Sequence, residues 1–278
     1  MIDKPTGATS HDVVRQVRRA LGTRAVGHTG TLDPFATGLL VVLIGRGTRV
    51  ARFIEQQPKT YRATMKLGVT TDTDDGTGAV VEEWRGTLPD DSTVRATLEG
   101  FGGRQLQEPP AYSAKRVDGE RSYRLARRGE AVALRPVEVT VHALEVLEVD
   151  GSTVGFRVTV SAGTYIRALA RDAGRRLGVG AHLTALRREA IGLLRVEEAV
   201  TLDEVRRGVG LRPLVEVMGH LPSAAVDDEE LRDIEHGRAI RAAAGLTGPT
   251  VLRHGDDLVA VAEAEEGWLR PKVVLVGR

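Results

Sequence analysis

Alternating apolar and polar residues mark stretches of the chain that fit a strand with one buried face. The alternation is clearest over residues 61–67 and 154–160, where every second side chain is apolar. Residues 137–149 are rich in β-branched side chains, which favour extended backbone. The pattern therefore predicts three strands in the first 160 residues.

Apolar residues at helical spacing predict two helices. The first is expected to begin after Thr9 or Ser10 and to end at Gly22, with its apolar face formed by Val13, Val14, Val17 and Leu21. The second follows Thr164, covers residues 165–177, and ends before two glycines. Because strands and helices do not alternate as regular βαβ units, the predicted fold class is α+β.

The composition of the chain changes near residue 221 and predicts a domain boundary there. An acidic helix over residues 227–235 is followed by short strand signals at 250–253, 258–262 and 273–276. We therefore predict a larger domain of residues 1–220 and a small, mostly β module of residues 221–278.

Composition excludes several classes of protein. The 278 residues include no cysteine, so disulfide frameworks, thiol nucleophiles and cysteine-based metal sites are excluded. The longest purely aliphatic run, residues 39–44, is far shorter than a membrane span, and the first residues lack the apolar core of a signal peptide. We expect a soluble, cytoplasmic protein with no membrane partner.

The net charge of +1 hides an uneven distribution. Residues 1–60 contain nine basic and four acidic side chains, and residues 101–140 contain eight and five. Residues 61–100 and 221–278 are acidic. Because binding to phosphates depends on local contacts, the small total does not exclude a nucleic-acid partner.

The loop of residues 28–34 is the first candidate for chemistry. Asp33 precedes Pro34, which keeps it out of helical geometry and presents its carboxylate from a turn. Residues 22–29, just before it, have the glycine spacing of a phosphate loop, but His28 stands where that loop needs a lysine. The acidic residues from Asp72 to Asp75 lack the glycine position of a calcium loop, so a polar turn is predicted.

Basic residues are concentrated in two further places. Arg167, Arg171 and Arg175 are four residues apart on one face of the second predicted helix, where they either follow phosphates or are simply solvated. A second group of basic residues surrounds Tyr123. Basic side chains can bind an RNA backbone, and an aromatic ring among them can stack on unstacked bases. The group comprises Lys115, Arg116, Arg121, Arg124, Arg127 and Arg128.

Six ordered motifs resemble the bacterial TruB family of tRNA pseudouridine synthases over residues 2–215. The most specific is Gly27-His28-Thr29-Gly30-Thr31-Leu32-Asp33-Pro34. The others begin at Asp3-Lys4-Pro5, Lys59-Thr60-Tyr61, Leu67-Gly68-Val69, Pro109-Pro110-Ala111-Tyr112 and Gly163-Thr164-Tyr165-Ile166-Arg167, the last continuing to Leu186.

The resemblance implies an isomerase that converts uridine 55 in the tRNA T loop to pseudouridine by base flipping, without cofactor or metal. It implies that Asp33 is the catalytic aspartate, that Tyr61 stacks on the target base, and that Arg167 pairs with the aspartate. It further assigns His28 to extrusion of the nucleotide, Tyr165 and Leu186 to the uracil pocket, and Lys4 to a position beside the site. Whether Asp33 attacks the base or deprotonates the sugar is left open.

The resemblance also implies the pseudouridine synthase fold, a mixed and largely antiparallel sheet flanked by helices and loops, with a shortened PUA-like RNA-binding module at the end. The expected partner is the T-stem loop of tRNA, bound by a monomer without guide RNA. Two alternatives remain open: an RNA-folding factor in which chemistry is secondary, although both roles can coexist, and a guide-RNA-dependent relative within a ribonucleoprotein.

Overall fold

A computed structural model describes residues 1–113, 116–117, 120–122, 128 and 134–276 of the chain. The chain forms two compact units. The first unit contains residues 1–34, 38–57 and 190–278, and the second contains residues 35–37 and 58–189. The predicted boundary near Leu221 stays a prediction.

The α-helices of the described residues are mostly short. They are α1 (Ser10–Leu21), α2 (Ala51–Glu55), α3 (Asp91–Glu99), α4 (Ile166–Arg176), α5 (Leu202–Arg206), α6 (Leu214–Val217) and α7 (Asp228–Glu235). Two 3₁₀ turns, Gly45–Val50 and Val196–Glu198, connect elements of the first unit.

Strands occur in both units. Those before residue 136 are β1 (Ile2–Lys4), β2 (Val26–Thr29), β3 (Thr37–Ile44), β4 (Lys59–Leu67), β5 (Val69–Thr71), β6 (Val80–Glu83), β7 (Gly103–Gln107), β8 (Arg116–Val117) and β9 (Glu120–Arg121). The later ones are β10 (Val137–Asp150), β11 (Thr153–Val160), β12 (Ala181–Ile191), β13 (Leu194–Arg195), β14 (Ser223–Ala225), β15 (Ile240–Arg241), β16 (Gly248–His254), β17 (Asp257–Glu265) and β18 (Trp268–Val274).

The first helix begins and ends as the sequence predicts. Thr9 is the N-cap, and its hydroxyl accepts the amide of Asp12 while the Asp12 carboxylate accepts the amide of Thr9. This reciprocal capping box satisfies two of the amides that a helix start leaves unpaired. Gly22 closes the helix in the left-handed conformation (φ 61°), which costs little without a Cβ atom.

The second unit is built on a sheet with the strand order β12-β4-β11-β10-β7. The alternation that predicted β4 and β11 is confirmed, since they pair in antiparallel register with Tyr61 opposite Val158. Met65, Leu67 and Phe156 are buried on one face of this pair, and Leu169 of α4 is buried as well. Helix α4 is shorter by one residue at each end than predicted.

The first unit contains β3, which pairs in antiparallel register with β1 and with β2, together with a five-stranded sheet in the order β14-β16-β17-β18-β15. In this second sheet only β14 and β16 pair in parallel, and the other pairs are antiparallel. The predicted α+β class with mixed, largely antiparallel sheets is therefore confirmed, as is the strand-rich C-terminal part.

The prediction for the last strand was partly wrong. The apolar run predicts a strand over residues 273–276, whereas β18 covers Trp268–Val274. The turn at Glu266 and Gly267, both with positive φ, places Trp268 opposite Glu265 and starts the pairing five residues earlier. Cross-strand pairing, rather than local apolarity, sets the bounds of this strand.

Candidate active site

The loop that carries Asp33 is fixed by a buried serine of α1. The Ser10 hydroxyl donates to the carbonyl of Leu32 at 3.2 Å and accepts the Leu32 amide at 2.9 Å. Ser10 and Leu32 are both buried, whereas Asp33 is half-buried. The residue before the proposed catalytic carboxylate is therefore held on both its backbone groups by one side chain.

The backbone on the other side of Asp33 is held by Lys4 and Gly7. Lys4 is completely buried, and its Nζ donates to the carbonyls of Pro5 (2.9 Å), Ala8 (2.6 Å) and Pro34 (3.3 Å). The Gly7 amide donates to the Pro34 carbonyl at 2.8 Å. The structure thus brings Lys4 and the Asp33 loop together, and the ammonium contributes to the shape of that loop.

His28 lies on β2, the strand that leads directly into the Asp33 loop. It is half-buried, and its ring meets the ring of His11 edge to face, with 5.7 Å between centroids and 78° between planes. His11 comes from the first turn of α1, which also carries Ser10. The proposed role of His28 in extruding the nucleotide stays a prediction.

The second unit contains Tyr61, Tyr165, Leu186 and Arg167. Tyr61 is 7 % exposed on the buried face of β4, and Leu186 is buried on β12. Tyr165 precedes α4, and its backbone is held by the buried Gln107, whose Oε1 accepts the Tyr165 amide at 2.8 Å and whose Nε2 donates to the Tyr165 carbonyl at 3.0 Å. Tyr165 and Arg167 are therefore presented together at the first turn of α4.

Arg167 is buried, and its guanidinium contacts the turn between β5 and β6. Nη1 donates to the carbonyl of Thr73 at 2.8 Å and lies 3.5 Å from Oδ2 of Asp75. Nη2 donates to the carbonyl of Tyr112 at 2.9 Å. These contacts fix the plane of the Arg167 guanidinium, because its five N–H donors have a rigid geometry.

Asp75, Gln107 and Ser10 are the positioning residues that the sequence did not identify. The sequence around Asp75 predicts a polar turn, and the structure confirms it: Oδ1 of Asp75 accepts from the hydroxyls of Thr73 (2.9 Å) and Thr77 (2.5 Å). No sequence signal marks Gln107, because its burial at the end of β7, and hence its need for hydrogen-bond partners, is visible only in the structure.

The proposed RNA-backbone residues are only partly visible. Lys115, Arg124 and Arg127 lie outside the described residues, and so does Tyr123. For Arg116 and Arg121 the structure describes the backbone, which pairs in the hairpin of β8 and β9, and Arg128 is exposed. Arg171 is mostly buried among protein groups, whereas the Arg175 side chain is 65 % exposed. Their contacts with RNA stay predictions.

The proposed catalytic residues are divided between the two compact units. Asp33, Lys4 and His28 belong to the first, and Tyr61 and Arg167, with Tyr165 and Leu186, belong to the second. Their assignment to one active site comes from the motif resemblance and stays a prediction.

Within the described ranges, no group of three or more histidine, aspartate or glutamate side chains is placed to hold a metal ion. No helix in the described part of the chain is long and apolar enough to cross a membrane.

Comparison with known protein families and sequences gives a consistent result. Residues 18–166 match the family described as "TruB family pseudouridylate synthase (N terminal domain)". A protein of Thermobifida fusca named tRNA pseudouridine synthase B is 46% identical, over 100% of this chain and 98% of its own. A protein of Aquifex aeolicus with the same name is 40% identical, over 99% and 98%.

Solved structures show the same fold. The chain resembles a protein in the crystal structure of an archaeal box H/ACA sRNP Nop10-Cbf5 complex, with a TM-score of 0.75 and 28% identity, covering 100% of this chain and 85% of that one. A Cbf5-Nop10-Gar1 complex gives a TM-score of 0.75 and 30% identity, covering 100% and 83%.

Proposed function

The chain belongs to the TruB family of pseudouridylate synthases, and from this premise we propose that it converts uridine 55 in the T loop of tRNA to pseudouridine. Two observations support the proposal. The chain is 46% identical over its full length to a protein named tRNA pseudouridine synthase B. The backbone of the Asp33 loop is held by hydrogen bonds from Ser10, Lys4 and Gly7. The enzyme is an isomerase that acts on tRNA.

The reaction rearranges the nucleotide without changing its atoms. The bond between the sugar carbon and a base nitrogen breaks, the base rotates, and a bond forms from the sugar to a base carbon, whose proton is lost while the freed nitrogen gains one. We assign to Asp33 the step that starts bond cleavage, by attack on the nucleotide or by removal of a sugar proton. Both routes need an ionised carboxylate in a fixed position, which the restrained loop provides.

Arg167 is proposed to orient this carboxylate and to keep it ionised when the closed site excludes water. Its guanidinium plane is set by Thr73, Asp75 and Tyr112, so the whole group has a fixed orientation. An arginine matches a carboxylate with two parallel hydrogen bonds, which gives direction as well as charge.

The reaction also requires that the target base be flipped out of the RNA stack into the active site. Removing the target base from its stack costs a few kcal/mol, and stacking on Tyr61 is proposed to return about 1–3 kcal/mol of it. His28 is proposed to assist extrusion, while Tyr165 and Leu186 hold the uracil ring.

We predict that the purified chain alone forms pseudouridine at position 55 of an unmodified tRNA transcript, as mapped by chemical sequencing of the product. Activity of the protein alone is expected because the reaction is proposed to need no guide RNA. Pseudouridine at another position, or none, would contradict the proposed substrate.

Asp33→Asn should lower the single-turnover rate by roughly three orders of magnitude or more, because the loss of a reacting group has effects of this size. The Kd for tRNA should change by less than about twofold. Substantial residual turnover by this variant would show that Asp33 is not the reacting group.

A role in tRNA folding is a second proposal, which rests on the basic segment from Lys115 to Arg128. The same Asp33→Asn variant separates it from catalysis. If the variant restores folding of a destabilised tRNA as well as the unaltered enzyme does, the folding role is independent of chemistry; failure to do so contradicts it.

A further inference from the structure

Two arginines of α4 contact two successive aspartates of the turn between β5 and β6. Arg167 pairs with Asp75 at 3.5 Å, and Arg171, one helical turn later, pairs with Asp74 at 3.1 Å. All four side chains are at most 15% exposed. Burial raises the pKa of Asp74, and the charges of Arg171 and Arg167 oppose that rise.

The backbone of the turn brings both carboxylates to the same helix. In extended backbone, successive side chains point in opposite directions. Asp74 instead adopts the left-handed conformation, with φ 60°, which is uncommon for a residue with a side chain but tolerated by aspartate and asparagine. Backbone of this kind persists where surrounding contacts hold it, and it is concentrated at functional sites.

The turn is also anchored to β12. The Gly76 amide donates to the carbonyl of Leu183 at 2.7 Å, and the Leu183 amide donates to the carbonyl of Asp74 at 3.1 Å. Asp75 itself accepts from Thr73 and Thr77. A shift of the turn would therefore move Asp75 and the Thr73 carbonyl together, and these are two of the groups that orient Arg167.

Each guanidinium nitrogen of Arg171 donates a hydrogen bond to another group of the protein. Nε donates to Oδ1 of Asp172 at 2.9 Å, Nη1 to Oδ2 of Asp74 at 3.1 Å, and Nη2 to the carbonyl of Glu108 at 2.8 Å. Its side chain is 11% exposed. An arginine that binds RNA phosphates is expected to have N–H donors exposed to solvent. The donors of Arg171 are instead bonded within the protein.

We propose that Arg171 and Asp74 form a positioning pair, which holds the turn so that Asp75 and the Thr73 carbonyl orient Arg167 for the reaction. Arg171 acts through Arg167 and does not bind the RNA backbone, in contrast to the expectation from sequence. The inference rests on the proposed function, because it takes Arg167 as the residue that orients the catalytic carboxylate.

The experiment compares Asp74→Asn, Arg171→Ala and their double variant with the unaltered enzyme on tRNA transcript. Asparagine tolerates the left-handed backbone, so Asp74→Asn removes the charge and keeps the turn. Displacements of about 1 Å near a reacting centre can cost 10²-fold in rate. We expect single-turnover rates lowered roughly 10- to 100-fold, with the Kd for tRNA within about twofold, and a double variant no slower than the slower single variant.

Arg176→Ala is the matched control on the same helix. Its guanidinium lies 3.8 Å from the Phe101 ring centroid and donates to the Gly100 carbonyl, away from the turn. Its single-turnover rate should equal that of the unaltered enzyme. Melting temperatures and the folded fraction are measured for every variant, and rates are expressed per folded molecule, which removes a merely structural loss from the comparison.

Two outcomes overturn the inference. If Arg171→Ala weakens tRNA binding and lowers the salt dependence of the Kd by about one phosphate contact while the rate is unchanged, Arg171 is an RNA contact. If Asp74→Asn and Arg171→Ala leave both rate and Kd unchanged, the pair has no role in positioning. Should Arg171→Ala not fold, Asp74→Asn alone tests the inference: a lowered rate at unchanged Kd supports it, and an unchanged rate overturns it.

The unaltered enzyme distinguishes this inference from the proposed function. If it makes no pseudouridine, the proposed function fails. If it is active and the variants match it, only the positioning pair fails.

Discussion

Lys4 shows at the scale of one residue how a charged side chain can stabilise an active-site loop. Its ammonium is completely buried and donates to three backbone carbonyls, one of which belongs to the residue after Asp33. Burying a charge is costly unless it is fully hydrogen-bonded, so the carbonyls are what make the position tolerable. A small shift of the loop would break these bonds, and the lysine therefore opposes it.

We predict that Lys4→Met lowers the free energy of unfolding by roughly 2–5 kcal/mol, because methionine fills a similar volume but leaves buried carbonyls without their donor. Urea denaturation followed by circular dichroism measures the change. Lys66→Met, on the exposed side of β4, is the control and should change stability by less than about 0.5 kcal/mol. Equal effects of the two substitutions would show that the buried bonds contribute little.

At the scale of elements, α4 is the helix on which the second unit presents its proposed site residues. Its first turn carries Arg167 after the Tyr165 backbone that Gln107 holds. Its last turn contains Gly174, where a Cβ atom would lie 2.2 Å from the amide nitrogen of Ala181. The glycine therefore allows the start of β12 to pass directly over the helix, and this close approach sets the position of α4.

Gly174→Ala is predicted to destabilise the protein by about 1–3 kcal/mol, although alanine normally favours a helix by about 1 kcal/mol over glycine. Backbone atoms of β12 block the added methyl group and cannot move cheaply. We also expect slower turnover, because α4 carries Arg167. Thermal unfolding and the single-turnover rate are the measurements.

Gly100→Ala, at the end of α3, is the matched control. Its backbone is helical, and an added Cβ would lie 3.4 Å from the nearest carbonyl oxygens, an ordinary contact. It should be neutral or slightly stabilising. A Gly174→Ala variant as stable as this control would mean that β12 relaxes away from the helix.

At the scale of the whole molecule, the C-terminal strands share a hydrophobic cluster with the beginning of the chain. Within the first unit, Val251, Leu258, Val261, Val273 and Leu275 are buried in one cluster with residues of β3 and α2. The guanidinium of Arg46 donates to the carbonyl of Leu275 at 2.9 Å. The small module of residues 221–278 therefore contributes to the interior of this unit.

A chain shortened to residues 1–220 is predicted to aggregate or to unfold at a markedly lower temperature, because removal of the last strands exposes the apolar side chains that they cover. Size-exclusion chromatography and thermal unfolding test this against the full chain. A shortened chain that is monomeric, active and equally stable would support a catalytic domain of residues 1–220 that folds alone. Loss of tRNA affinity in such a stable chain would support the proposed PUA-like role.

Much of the secondary structure followed from short-range patterns. Thr9 and Gly22 bound α1 because capping and left-handed backbone are local properties, and the alternation in β4 reports directly which side chains face the interior. The bounds of β18 were missed because they depend on pairing with β17. The family was recognised from ordered motifs, which need no knowledge of packing.

The sequence by itself determined the α+β class, helices α1 and α4, strands β4, β10 and β11, and membership of a family that modifies uridine in tRNA. Only the tertiary structure decided that Lys4 is buried under the Asp33 loop, that Asp75 holds Arg167 rather than a cation, and that Arg171 faces Asp74. The physical reason is range. Hydrophobic periodicity and helix capping depend on residues only a few positions apart. Arg171 and Asp74 are 97 positions apart and meet only because the sheet and α4 pack together.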